Sequence, residues 1–188
     1  VSFDASTLEI WAPLLNGASL VIPKAGVLTV AEIAGYLKRF EVTTLWLTSG
    51  LFQLMVDEQV ESLQGLKYLL AGGDVLNPKT VETAMNALPN TVLINGYGPT
   101  ENTTFTCCHR IEPEDLHRPS IPIGEAISGT EVVLLDKNHQ PVPEGIAGEL
   151  YASGAGLALG YLNDLAPTDE KFHRLNLNGE EKVWYEVG

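Results

Sequence analysis

Apolar and polar positions alternate in two rhythms along the chain, and the change of rhythm divides it. In the first half, apolar runs begin near Ser19 (SLVIP), Val42 (VTTLWL), Leu66 (LKYLLA) and Thr91 (TVLIN), about 24 residues apart, the repeat of a βα unit. Between them lie stretches with helical periodicity: residues 29–40, with Ile33, Leu37 and Phe40 on one face, residues 49–57, and residues 78–88, opened by Asn77-Pro78. A further helix is expected over residues 7–15, with Ser6 and Glu9 forming an S-x-x-E capping box ahead of it. Strands this rich in Val, Leu and Ile suit a parallel sheet covered on both faces.

The rhythm is lost over residues 111–119, a charged, proline-bounded segment that reads as a boundary. Beyond it, short strands are expected over 131–135 and 149–152, separated by turn clusters at 136–141 and 143–145. A short helix is expected from Thr168, as N-cap, towards Phe172. The fold class is therefore α/β: a parallel sheet flanked by helices, followed by a β-rich, barrel-like portion. The expected division is 1–110 for the α/β part and 111–188 for the β-rich part.

Composition narrows the possible functions. With 45% hydrophobic residues in 188, the chain can build a core, which excludes disorder. A net charge of -13 repels phosphate backbones and anionic lipid heads, so nucleic acid is not an expected partner. No apolar run approaches the roughly 18 residues of a membrane span, and residues 1–20 lack a signal-peptide pattern; the reading is a cytoplasmic protein without a membrane partner. The two cysteines, Cys107 and Cys108, are neighbours and suit buried thiols in a strand better than a loop-closing bridge or a zinc site.

Four places carry possible chemistry. The strongest is Asn95-Gly96-Tyr97-Gly98-Pro99-Thr100-Glu101-Asn102, directly after the last apolar run of the series, where open α/β sheets bind ligands. Gly96 and Gly98 admit a ligand to the backbone, Tyr97 offers a flat face to a purine, Thr100 a hydroxyl to a phosphate, and Glu101 a carboxylate to a hard cation. An ordinary glycine-proline turn is the competing account. The second is Asp4, between Phe3 and Ala5, either a semi-buried carboxylate awaiting a cation or an acid favoured by a helix start. The third, Ala71-Gly72-Gly73-Asp74, permits close backbone contact and is equally a tight turn. The fourth, residues 148–161, carries Gly154, Gly156 and Gly160 and imitates a dinucleotide fingerprint with the wrong spacing. The four histidines show no metal-ligand spacing, and no nucleophile elbow or triad pattern is visible.

Together these segments resemble the amino-acid adenylation domains of nonribosomal peptide synthetases, in the superfamily that includes acyl-CoA synthetases and luciferases. Residues 3–6 match the F-D-x-S motif, residues 95–101 the N-x-Y-G-P-T-E motif, and residues 148–161 the G-E-L-x-I-x-G-x-G-L-A-R-G-Y motif. Ala152 and Leu159 replace the usual Ile and Arg of the third, and residues 185–188 stand where Y-[RK]-T-G-D is usual. The expectation is a central piece of such a domain, without the upstream phosphate loop ending in Pro-Lys-Gly and without the small C-terminal subdomain with its lysine. Some apolar surface should then be exposed.

The resemblance implies ATP and Mg²⁺ as cofactors, an amino acid as substrate, and a carrier domain whose phosphopantetheine thiol receives the acyl group. It implies that Tyr97 stacks on adenine, that Asn95, Gly73, Gly96 and Gly98 line the nucleotide site, that Thr100 contacts the α-phosphate, and that Glu101 ligates Mg²⁺. Aligned on the three motifs, Asp4, Ala5, Leu8, Trp46, Leu70, Gly72, Gly96, Thr104 and Phe105 would line the amino-acid pocket. Asp4 would pair with the α-ammonium, and the remaining set suggests L-valine. The alternatives are an acyl-CoA ligase acting on a plain carboxylic acid and a nucleotide-binding piece without turnover. The 188 residues alone are expected to be inactive.

Overall fold

The computed structural model describes residues 3–177 and 179–187. Val1, Ser2, Asn178 and Gly188 lie outside the described residues, and with them the last position of the divergent 185–188 segment. The chain divides into two compact units. One comprises Leu8–Tyr97 and Cys108–Glu125, the other Val1–Thr7, Gly98–Cys107 and Ala126–Gly188. Both cross the division expected at residue 110.

In the α/β unit, three of the four apolar runs form strands: β1 (Thr44–Thr48), β2 (Tyr68–Gly72) and β3 (Val92–Tyr97). They pair in parallel, with Trp46 opposite Leu70, Leu70 opposite Ile94, and Gly72 opposite Gly96. β4 (Cys107–Arg110) and β5 (Glu125–Ala126) complete a mixed five-stranded sheet in the order β1-β2-β3-β4-β5. The run at residues 19–23 is not a strand. Ile22 is 78% exposed, and Pro23 has no N–H to give a ladder.

The helices follow their start signals. Between α1 (Ala5–Leu15) and β1 lies α2 (Val30–Arg39), with Thr29 and Glu32 forming a reciprocal capping box. α3 (Ser49–Gln59) is capped by the Thr48 hydroxyl, and α4 (Pro78–Ala87) by the Asn77 side chain with Pro78 at its first turn. Leu37, Phe52, Met55, Val56, Val81 and Ala84 from these helices join Leu47, Leu69, Ala71 and Leu93 in one core. Alternation along a strand places those four sheet residues on one face, and Trp46, Leu70, Gly72 and Gly96 on the other. The main core thus draws on a single face of the parallel strands.

Two local expectations at the start of the chain and in the middle are corrected. Ser6 does not cap α1: it lies inside the helix, and its hydroxyl donates back to the Phe3 carbonyl at 2.7 Å. The segment 111–119 is not a boundary. Ile111 and Ile121 belong to the core, and a 3-10 helix, Pro113–His117, buries Asp115. Asp115 accepts from the Glu112 amide at 2.9 Å and lies 2.7 Å from His109 Nε2 and 3.3 Å from Arg118 Nε. The Glu112 amide, ahead of the hydrogen bond with His109 and the Arg118 guanidinium, holds its carboxyl below the usual range. Its polarity is satisfied locally, which explains why apolar periodicity did not reveal the element.

The second unit carries an antiparallel sheet of β6 (Thr130–Leu135), β7 (Glu149–Gly154), β8 (Phe172–Leu177) and β9 (Glu180–Glu186), in the order β6-β7-β9-β8. β6 and β8 remain its edges, so the expected barrel-like portion is an open sheet and not a closed barrel. Leu135, Tyr151 and Trp184 form its core, with Val133, Leu175 and Leu177 packed against them. The expected N-cap at Thr168 is corrected as well. α5 (Leu165–Lys171) begins earlier, and Thr168 inside it donates to the Asp164 carbonyl at 2.7 Å.

Cys107 is buried and Cys108 half-buried, both as thiols, and burial pushes the Cys107 thiol up. Apolar side chains are exposed along α1 and the loop after it: Trp11 by 55%, Leu15 by 78% and Val27 by 99%. No helix among the described residues is long and apolar enough to cross a membrane.

Candidate functional site

The candidate residues fall into two groups, one in each unit. In the α/β unit, the parallel register sets Trp46 beside Leu70, and Gly72 beside Gly96, on the sheet face opposite the main core. Leu70 is 9% exposed although it stands outside that core. A side chain at Gly72 has no room, since a Cβ there would collide with the Gly96 carbonyl oxygen. Gly73, next along, takes φ +78, which L side chains rarely adopt, and its Cβ direction is open. Asn95 points the other way along β3: it is buried, and its amide donates to the Pro122 carbonyl at 2.8 Å. Tyr97 ends the strand, half-buried. Leu8 is half-buried in α1.

The second unit holds the rest of the motif. The 3-10 turn Thr100–Asn102 presents Thr100 exposed, Glu101 half-buried and Asn102 fully buried. Gly98 precedes it, pressed against the chain that returns from the turn: a Cβ would meet the Thr106 nitrogen at 2.6 Å and the Thr104 oxygen at 2.8 Å. The expectation that Gly98 opens the backbone thus meets a second demand, close packing of the motif on itself.

Glu101 is held at both ends. Its carbonyl accepts from the Ala158 amide at 2.7 Å, and its carboxylate oxygen Oε1 accepts from the Tyr161 hydroxyl at 2.6 Å. Tyr161 lies 3.4 Å, hydroxyl to hydroxyl, from Tyr185. The bond to Glu101 raises the Tyr161 phenol first of all, so it stays protonated and donating at neutral pH, while burial is the main cause of the upward shift at Tyr185. Along the chain Tyr161 is only the last residue of a motif, with no evident task. The signal available was a phenol at a motif end, whose partner is not visible in the linear order.

Asp4 and Ala5 lie in this same unit as Thr104 and Phe105. The Thr104 hydroxyl donates to the Asp4 carbonyl at 2.8 Å, joining the two stretches, and Ala5 and Phe105 are buried. Asp4 stands just ahead of α1, with its carbonyl also receiving the Thr7 amide at 2.8 Å.

A single oriented carboxylate beside an exposed hydroxyl suits a hard cation that brings most of its ligands with it. Mg²⁺ is of this kind, commonly held by one or two carboxylates and substrate phosphates. No cluster of three or more His, Cys, Asp or Glu able to hold a metal occurs among the described residues.

Comparison with known proteins gives the family. Residues 1–162 match the family described as AMP-binding enzyme. The chain is 52% identical over 172 residues to one of the linear gramicidin synthase proteins of Brevibacillus parabrevis, covering 92% of this chain and 2% of that protein. The structure of PA1221, an NRPS protein containing adenylation and PCP domains, superposes with a TM-score of 0.94 at 46% identity, over 100% of this chain and 38% of that one. The N-terminal subdomain of Klebsiella oxytoca NpsA in complex with 3-hydroxybenzoyl-AMSN superposes with a TM-score of 0.92 at 33% identity, over 100% of this chain and 48% of that one. The chain therefore spans a small share of the synthase it matches and under half of the solved chains. It belongs to the AMP-binding enzyme family and is similar over its length to the adenylation domains of nonribosomal peptide synthetases.

Proposed function

We propose that the chain is the part of an amino-acid-activating domain that carries the nucleotide motif and most of the amino-acid pocket. In that reaction a carboxylate oxygen of the amino acid attacks the α-phosphorus of ATP, and the bond from that phosphorus to the leaving group breaks, releasing pyrophosphate and an aminoacyl-adenylate. A carrier domain's phosphopantetheine thiol then takes the acyl group and AMP leaves. The observation that carries the reading is the Glu101 carboxylate, fixed by a 2.6 Å hydrogen bond in the turn that also exposes Thr100.

Bound Mg²⁺ would offset phosphate charge. Glu101 would hold it, Thr100 would donate to the α-phosphate, Tyr97 would stack on adenine, and Asn95, Gly73, Gly96 and Gly98 would line the nucleotide. Such a displacement asks the protein for position and charge stabilisation more than for covalent work. Asp4 would receive the α-ammonium. Ala5, Leu8, Trp46, Leu70, Gly72, Gly96, Thr104 and Phe105 would form a pocket apolar but for one hydroxyl, in which a charged side chain would be stranded.

The favoured substrate is L-valine, with other small branched aliphatics next. The row of Trp46 with Leu70 supports it, supplying apolar bulk on the sheet face opposite the main core, while Gly72 and Gly96 add no side chain to that face. The 188 residues alone would turn over nothing. Amino-acid-dependent ATP–pyrophosphate exchange by the complete domain tests the reading. Exchange driven by an acid lacking an α-amine would favour an acyl-CoA ligase instead.

A further inference from the structure

Residues 148–161 imitate a dinucleotide fingerprint, and Gly156 among their glycines serves a different purpose. Gly156 lies so close to the 3-10 turn that a Cβ on it would stand 3.1 Å from the Asn102 carbonyl oxygen. Two residues later the Ala158 amide takes the Glu101 carbonyl, and three beyond that the Tyr161 hydroxyl takes its carboxylate. The loop thus grips the main chain and the side chain of one residue from one side.

The gripping phenol is itself immobilised. The Tyr161 amide donates to the Thr168 hydroxyl at 2.8 Å, which in turn donates to the Asp164 carbonyl at 2.7 Å. Its ring meets Phe172 edge to face at 5.7 Å, and Phe172 packs on Tyr185 at 5.0 Å between centroids. A side chain locked by packing and by its own backbone bond can fix the orientation of the group it touches.

We propose that Tyr161 is a positioning residue for Glu101, holding the carboxylate in the orientation that receives nucleotide-bound Mg²⁺. This rests on Glu101 being the metal ligand. A hydrogen-bonded carboxylate cannot swing to a solvent-exposed rotamer, so the ligand is ordered before the metal arrives. Outer partners of this kind typically change metal affinity 10–100-fold when removed.

The test uses the complete domain with Mn²⁺ as probe and an ATP analogue whose α,β-bridge is methylene. Free Mn²⁺ is read by electron paramagnetic resonance for wild type, Tyr161→Phe and Glu101→Gln, alongside the Mg²⁺ dependence of exchange. The proposal expects Tyr161→Phe to raise the Mn²⁺ dissociation constant about 10-fold, with kcat at saturating Mg²⁺ falling less than that. If Glu101→Gln weakens Mn²⁺ binding and Tyr161→Phe does not, Tyr161 is no positioning residue, while the metal assignment stands. A lowered melting temperature with unchanged Mn²⁺ affinity likewise makes Tyr161 structural only and overturns the proposal. If neither variant changes Mn²⁺ binding, the Glu101 assignment falls and takes the proposal with it. Should Tyr161→Phe fail to fold, Gly156→Ala disturbs the same grip from the other end of the loop. It is expected to weaken Mn²⁺ binding in the same direction, and unchanged binding there overturns the proposal.

Discussion

The Thr104 hydroxyl donates to the main-chain carbonyl of Asp4, 100 residues away in sequence, at 2.8 Å. The bond ties the segment ahead of α1 to the chain that returns from the 3-10 turn. Because it uses the Asp4 carbonyl, the Asp4 carboxylate is not committed by it. Thr104→Val should therefore loosen Asp4 without removing its charge. In the complete domain, the amino-acid KM is expected to rise several-fold, with the ATP KM changing less; equal changes in both would exclude a role confined to the amino-acid side.

Glu101→Gln keeps shape and hydrogen bonding and removes the charge. Adenylation by the complete domain should fall by about two orders of magnitude, with the thermal midpoint almost unchanged. Near-normal exchange at limiting Mg²⁺ would refute the metal assignment.

Gly72 faces the Gly96 carbonyl oxygen with no space for a methyl group. Since the obstacle is backbone in the neighbouring central strand, it cannot rotate away, and overpacking of this kind costs about 1–3 kcal/mol. Gly72→Ala should lower the denaturant midpoint accordingly. A variant as stable as wild type would mean that β2 and β3 shift apart freely.

Asp115 makes stability depend on acid. Its native carboxyl is held below the usual range, so the unfolded chain binds the proton first as pH falls, and the stabilisation present above the ordinary carboxylate range is lost on acidification through the native titration. Asp115→Asn should cost about 1–3 kcal/mol at neutral pH. The gap between variant and wild type should close in acid denaturation curves below about pH 4, near the ordinary Asp value. A gap independent of pH would deny the charge any part in it.

The proposed pocket residues predict soft selectivity. In pyrophosphate exchange across the proteinogenic amino acids, valine should lead, with isoleucine close, because one methylene is worth only about 1–3 kcal/mol in an apolar site. Preference for a charged or aromatic amino acid would overturn the assignment of Trp46, Leu70 and Phe105 to that pocket.

Much of this was open to reading along the chain. The three motifs stand as contiguous residues, and α2, α3 and α4 are capped by Thr29, Thr48 and Asn77, where the capping signal is local and so survives without tertiary context. Strands β1, β2 and β3 followed from period and apolar runs. Residues 19–23 show the limit of that reasoning, for an apolar run becomes a strand only if a neighbour supplies its ladder.

Other features depend on partners far apart in sequence. Asp115 hides a structured, buried segment under a polar surface pattern, because its hydrogen bonds replace apolar burial. The resemblance sets Trp46 and Leu70 in a pocket, but which side of a sheet they occupy follows only from parallel register and strand alternation, which put them on the face away from the main core. Tyr161 and Glu101 are 60 residues apart, and nothing local relates them. Motifs are carried by residue type and spacing, which the linear order preserves. Orientation of a carboxylate and the side of a sheet are relations between segments, and those exist only once long-range packing has brought the segments together.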